Sequence, residues 1–180
     1  LDGTAGNEVI DASAWTGARL AIYGKAGNDT LRGGSGDDDI RGDAGDDIVE
    51  GNDGNDLLLG DSDNSSFTSG NDTLRGGRGN DRMTGDDYSR GGTGNDLLDG
   101  GDGDDELYGH GGNDLFQGGA GSDLLADNIE TDATLTNLSY TVDGVTSNNH
   151  GVERVSLYGS SQANRIDASA WTGVGLVIYG

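Results

Sequence analysis

A nine-residue period runs through residues 24–126 and limits what this chain can fold into. From Gly24 the sequence divides into GKAGNDTLR, GGSGDDDIR, GDAGDDIVE and GNDGNDLLL. Ten copies follow one another, ending at Ala126. Their first residues are Gly24, Gly33, Gly42, Gly51, Gly60, Gly76, Gly85, Gly100, Gly109 and Gly118. Place four is Gly in every copy. Place six is always Asp: Asp29, Asp38, Asp47, Asp56, Asp72, Asp81, Asp96, Asp105, Asp114 and Asp123. Place eight is always apolar: Leu31, Ile40, Val49, Leu58, Leu74, Met83, Leu98, Leu107, Phe116 and Leu125. The fifth and seventh copies carry insertions after their second residue, at 62–68 and 87–92.

A Gly-rich hexad suits a turn rather than a helix, because Gly tolerates positive φ and close backbone approach. The last three places suit a short strand. Successive strand side chains point to opposite faces, so place eight faces in and places seven and nine face out. Strand, turn, strand, turn makes a flattened coil of roughly 18 residues per circuit, two nonapeptides to a turn. Parallel strands stack on both faces, with one aliphatic residue per strand inside. Alternate copies share an edge, so the two insertions stack on the same edge. That places Asp61, Asp63, Asp86, Asp87 and Tyr88 together there; a solvated loop lobe is the ordinary reading.

The turns of one edge put an Asp and several bare carbonyls beside the next layer. Without Cys, and with only two His, such a gap is an oxygen site for a hard cation. Ca²⁺ takes roughly 6–8 oxygens, many from backbone, whereas Mg²⁺ asks for stricter octahedral geometry. The ten place-six Asp residues are the primary candidate ligands. Their neighbours at places one, three and five would add side-chain or carbonyl oxygens across the gap. These are Gly24, Gly33, Gly42, Gly51, Gly76, Gly100, Gly109 and Gly118 at place one. Place three supplies Ala26, Ser35, Ala44, Asp53, Arg78, Asp102, Gly111 and Ala120. Place five supplies Asn28, Asp37, Asp46, Asn55, Asn71, Asn80, Asn95, Asp104 and Asn113. Place two, where Lys25, Asp43, Asn52, Asp61, Asp86 and His110 replace Gly, is read as permissive, contributing only a carbonyl.

Composition fits this picture and excludes others. The formal charge is −23, 36 of 180 residues are Gly, and only 31% are hydrophobic. That composition alone describes a disordered chain, but there is no Pro and the Asp and Gly are periodic. So acidic a chain repels nucleic acid and anionic membrane. No stretch reaches the ~18 apolar residues of a membrane span. Five turns per edge leave four gaps, and two edges give about eight Ca²⁺. They would reduce −23 to about −7, an ordinary value for a soluble domain. The bare chain is expected to be largely disordered, with ion binding and folding as one event. Asp pairs such as Asp37-Asp38 belong to a motif whose place-six Asp recurs ten times, which is unlike a catalytic dyad, and no Ser-His-Asp or Cys-His arrangement is visible. No enzyme activity is expected. His110 and His150 read as ordinary surface residues.

The repeat G-G-x-G-x-D-x-U-x resembles that of the RTX (repeats-in-toxin) proteins, with ten copies over residues 24–126. The resemblance implies a right-handed parallel β-roll, a β-solenoid with Ca²⁺ between its turns. It also implies export by type I secretion and folding on meeting external Ca²⁺, hence an extracellular, secreted or cell-surface location.

The flanks suggest a second, longer period. Residues 3–24 recur at 159–180: ASAWTGARLAIYG follows Asp11, and ASAWTGVGLVIYG follows Asp167. Glu8 and Asn164 stand there in the place of the Asp. Three regions result: 1–23, an N-terminal β segment; 24–126, the roll; and 127–180, a C-terminal β segment leading into the next unit. Within 127–158, ATLTNLSYTVDGV alternates around Leu138, Tyr140 and Val142, Asp143-Gly144 signals a turn, and GVERVSLYG alternates around Val155 and Leu157. Trp15 and Trp171 read as packing anchors of the unit junction.

The leading expectation is a calcium-binding structural module, a unit of roughly 156 residues recurring in a large exported adhesin-, surface-layer- or toxin-like protein. Its partners would be calcium ions and adjacent units of the same chain, without nucleic acid or membrane insertion. A polysaccharide- or surface-binding module is a second class. It needs a flat ladder of Thr or aromatics, and place seven varies too much (Thr30, Asp39, Ile48, Leu57). The C-terminal secretion and folding domain of a secreted hydrolase is a third.

Overall fold

A computed structural model describes the backbone of residues 1–61, 69–87, 92–112, 114–129, 133–136, 139–142, 145–148, 152–159, 166–170 and 175–179. Side chains beyond Asp127 are described only at 154–158 and 175–179. Among these residues there is no helix.

The chain winds into a parallel β-solenoid of about six turns. Odd-numbered copies build one sheet: β1 (Val9–Asp11), β3 (Thr30–Arg32), β5 (Ile48–Asp53), β7 (Thr73–Arg78), β9 (Leu97–Asp102) and β11 (Leu115–Ala120), in that order. The opposite sheet runs β2 (Ala21–Ala26), β4 (Asp39–Ala44), β6 (Leu57–Leu59), β8 (Arg82–Thr84), β10 (Glu106–Tyr108), β12 (Asp123–Ile129), β16 (Val152–Gly159) and β18 (Gly175–Tyr179). Place eight sets the register. Leu31 faces Val49, two copies on, and Val49 faces Leu74, again two copies on. The insertion at 62–68 lies between Val49 and Leu74. The ladder keeps its register on either side of it.

All ten place-eight side chains are buried and form one apolar column with Ile22, Val155 and Leu157. At about 25 cal/mol per Å², one aliphatic side chain per strand supplies little stability for each turn. The edges must supply the rest.

Six of the ten nonapeptide strands are longer than the three-residue expectation, β12 among them. β4, β5, β7, β9 and β11 continue through places one to three of the next copy, with Gly77 opposite Gly101 and Asn52 opposite Gly77. The extra pairs fall at places two and three, Arg78 facing Asp102, and the register skips the place-one glycines between. Place two is also less permissive than expected. Lys25, Asp43, Asn52 and His110 have φ of 86°, 74°, 79° and 75°, a region L-residues enter at a cost. Asp61 and Asp86, which immediately precede the insertions, are not left-handed.

Beyond the roll, Val155 and Leu157 of β16 are buried on one face, as their alternation predicts. A further sheet orders β15 (Val145–Asn148), β14 (Ser139–Val142), β13 (Ala133–Thr136) and β17 (Ile166–Ala170). β14 and β15 pair antiparallel with Val142 opposite Val145. The Asp143-Gly144 turn and Leu138 lie outside the described residues, as do Asn164, His150 and Trp171. Trp15 is not a buried anchor: it is half-exposed, its ring lies over Gly17 and Gly34, and Nε1 donates to the Ala18 carbonyl at 3.0 Å.

One strand pairing recurs at the spacing of the long period. Asp2 pairs with Tyr23 at the start of the chain, and Tyr158 pairs with Tyr179 at the equivalent place of the second copy. Ile22, opposite Ile40 at one end of the sheet, is 0% exposed, whereas its counterpart Ile178, opposite Leu157 at the other end, is 47% exposed.

Candidate metal centre

Each place-six Asp is buried at its turn, and its two oxygens have different surroundings. Oδ1 accepts the backbone N–H of the place-six residue one circuit earlier. The bonds run Asp29 to Asp47, Asp38 to Asp56, Asp47 to Asp72 and Asp56 to Asp81. They continue Asp72 to Asp96, Asp81 to Asp105, Asp96 to Asp114 and Asp105 to Asp123, all at 2.6–2.9 Å. Glu8 and Leu20 donate to Asp29 and Asp38 at the N-terminal end. These bonds tie the layers together along both edges.

Oδ2 points to the place-one glycine of the same copy. In nine of the ten copies it is buried and has no hydrogen-bond partner. The exception is Asp38, whose Oδ2 accepts the Gly34 amide at 2.7 Å. A second oxygen converges on the same space. A Cβ built on Gly33 would lie 2.5 Å from Asp38 Oδ2 and 2.7 Å from the carbonyl oxygen of Gly51, one layer on. The same pairing of a carboxylate with a next-layer carbonyl surrounds Gly24, Gly51, Gly60, Gly76 and Gly100. Place one is glycine because a side chain there would fill this space.

Place three supplies carbonyls to the ladder. Those of Ala44, Arg78, Asp102 and Ala120 accept the place-four amides of Gly27, Gly54, Gly79 and Gly103. Each keeps one lone pair for another partner. Place four itself is left-handed in most copies, with φ of +111° at Gly27 and +142° at Gly121.

Place-five side chains lie on the exposed outer side and make their own column. Asp37 Oδ1 accepts the Asn55 amide, Asp46 that of Asn71, Asn55 that of Asn80 and Asn71 that of Asn95, all within 2.9 Å. Asn80 serves Asp104 and Asp104 serves Ser122. These bonds point toward the following layer, opposite to the place-six bonds. Sequence reasoning saw only candidate ligands at place five. Its restriction to Asn or Asp in every copy but the last, where Ser122 only donates its amide, was the missed signal for an interlayer brace. Asn113 lies outside the described residues.

Burial leaves the place-six carboxylates uncomfortable as anions. Desolvation, reinforced by neighbouring carboxylates, pushes Asp47 and Asp56 up to about 7, Asp96 to about 8 and Asp72 to about 9. Asp81 and Asp105 are raised by burial to about 6. Asp29 moves up for the same reason. The end copy differs: the Glu8 carboxylate accepts the Thr4 amide and hydroxyl, which lower its pKa, so it is not an orphan. Among the described residues no three Asp, Glu or His side chains are arranged to hold a metal ion by themselves. Any ion here must take much of its shell from carbonyls and water. Buried carboxylate oxygens without donors, bare glycine and spare carbonyl lone pairs suit a hard divalent cation.

No curated protein sequence matches this chain significantly. The family model of the RTX calcium-binding nonapeptide repeat matches four times, at residues 21–49, 32–66, 68–87 and 90–125. Its spans cover more than half of the chain and coincide with the stacked turns, so the chain belongs to the RTX calcium-binding nonapeptide repeat family and is a calcium-binding repeat module.

Proposed function

We propose that the module is a structural element of a large exported protein, folded by Ca²⁺ outside the cell. The nine place-six Oδ2 atoms that are buried without a hydrogen-bond partner carry this reading. Each place-six Asp would offer Oδ2 to an ion held between its own layer and the next. Place-one carbonyls such as those of Gly42, Gly51 and Gly100 would complete the pocket, with place-three and place-five carbonyls around it. About eight ions follow from four gaps on each edge, and Ca²⁺ fits their irregular oxygen shell better than Mg²⁺. Bound ions would supply the charge that the buried carboxylates lack, so binding free energy becomes folding free energy.

This linkage suits type I secretion. At low internal Ca²⁺ the repelling carboxylates would keep the chain unfolded, and higher external Ca²⁺ would fold it at the cell surface or beyond. The module would comprise a leading β segment at 1–23, the roll at 24–126, and a trailing segment at 127–180 shared with an adjacent unit. The recurrence of 3–24 at 159–180 favours an array of such units over a single tail on a hydrolase. Its work would be mechanical rather than catalytic.

Circular dichroism and hydrodynamic radius, followed across a Ca²⁺ titration with Mg²⁺ as control, test the reading. Ca²⁺ in the millimolar range should raise the strand signal and shrink the radius, and Mg²⁺ should do neither. A chain equally folded with and without Ca²⁺ would contradict it.

A further inference from the structure

The two interrupted copies share a feature that the sequence pattern does not explain. Each has Asp at place two, Asp61 and Asp86, and both are buried. Asp61 Oδ2 accepts the Gly70 amide at 3.1 Å, and Asp86 Oδ2 accepts the Gly94 amide at 2.9 Å. Gly70 and Gly94 are the place-four residues on the far side of each insertion. Each Asp therefore closes the neck of its loop with one oxygen.

The remaining oxygens are placed differently from any at an ordinary turn. The carboxyl groups of Asp61 and Asp86 are neighbours that influence each other's charge. Asp86 is 0% exposed, and its Oδ1 has no hydrogen-bond partner. That oxygen faces the bare Cα of Gly94. A Cβ there would lie 3.1 Å from Asp86 Oδ1, 2.9 Å from Asp96 Oδ1 and in contact with the Gly70 carbonyl oxygen. Oxygens from three chain segments meet around one point, and two of them belong to carboxylates. A Cβ on Gly103, at the same place in an uninterrupted copy, meets the Gly79 carbonyl oxygen and the neutral Asn80 amide oxygen.

Two buried acids side by side, one with an unpaired oxygen, need a compensating positive charge. We propose that Asp86, Asp96 and the Gly70 carbonyl, with Asp61 alongside, hold one further Ca²⁺ at the necks of the two insertions. This rests on the calcium reading above but uses different ligands. Its charge comes from place two, which no nonapeptide site needs, and water would complete the shell. A site richer in carboxylates binds Ca²⁺ more tightly, so this ion would join the two insertion-bearing layers firmly.

Native mass spectrometry of the full chain in saturating Ca²⁺ counts the ions. Asp86→Asn should carry one ion fewer than the wild type while circular dichroism stays that of the folded protein. An unchanged count overturns the proposal. A wild type that binds no ion would instead sink the calcium reading itself. Should Asp86→Asn fail to fold, Asp61→Asn is read in the same way: one ion lost supports the site, and a full count overturns it.

Discussion

The backbone amide of Asp81 donates to Oδ1 of Asp105, 2.8 Å away and one circuit on. The other oxygen of Asp105 is buried and accepts nothing. One carboxylate thus fastens two layers and keeps an oxygen in reserve. Two substitutions separate these roles. Asp105→Asn retains an oxygen for the Asp81 amide but removes the charge, so more Ca²⁺ should be needed to reach half-folding. Asp105→Ala also leaves the Asp81 amide buried and unpaired, which costs about 1–3 kcal/mol more. Urea unfolding in saturating Ca²⁺ should therefore rank wild type above Asn and Asn above Ala.

Acid should partly replace calcium. In the ion-free fold Asp47, Asp56, Asp72 and Asp96 have pKa values raised to about 7, 7, 9 and 8, against about 3.9 in an unfolded chain. Between these limits the folded state binds more protons than the unfolded one, so its stability falls as pH rises. Without Ca²⁺, lowering the pH from about 8 to about 5 should increase the strand signal. Circular dichroism in chelator across that range checks this, and a signal flat with pH would contradict it.

Place one should not tolerate a methyl group. In Gly100→Ala the new Cβ meets Asp105 Oδ2 and stands 2.5 Å from the Gly118 carbonyl oxygen. The Ca²⁺ midpoint of folding should rise about tenfold or more, equivalent to ~1.4 kcal/mol. Gly6→Ala is the control, since its Cβ meets only the ends of the Glu8 and Thr4 side chains, at 3.3 Å and 3.9 Å. Its midpoint should stay near that of the wild type.

The inner column has no redundancy within a turn. Leu107 is 0% exposed and is the single inward residue of β10. Leu107→Ala should cost about 2–5 kcal/mol, read as a fall in the urea midpoint at saturating Ca²⁺. Leu115, at place seven, is 40% exposed, and Leu115→Ala should change stability by about 0.5 kcal/mol or less.

Residues whose role depends on their own copy were legible in the sequence. Leu31 and its equivalents had to face inward once the turns were placed, and Asp29 had to sit beside the next layer. Roles that depend on two layers at once were harder to read. The brace from Asp37 to Asn55 links backbone to side chain across a circuit, and no single copy reveals it. Place two misled for another reason. Eight of its ten residues are Gly, Asn or Asp, the types that best accept a left-handed backbone, and Lys25 and His110 disguised that limit. The register of β13, β14 and β15 has no periodic partner to set it, so alternation indicated strands without indicating their order.

Ile22 and Ile178 occupy equivalent strands, one covered and one bare. A barrel fixes its own size, because its last strand must meet its first. This stack does not close on itself, and equivalent strands, β2 and β18, stand at the two ends of one sheet. Its cross-section is set by chemistry, at two strands and two turns, but nothing in the geometry sets its length. Such an architecture can be lengthened by duplication without being redesigned, each addition extending the rod while its girth stays the same.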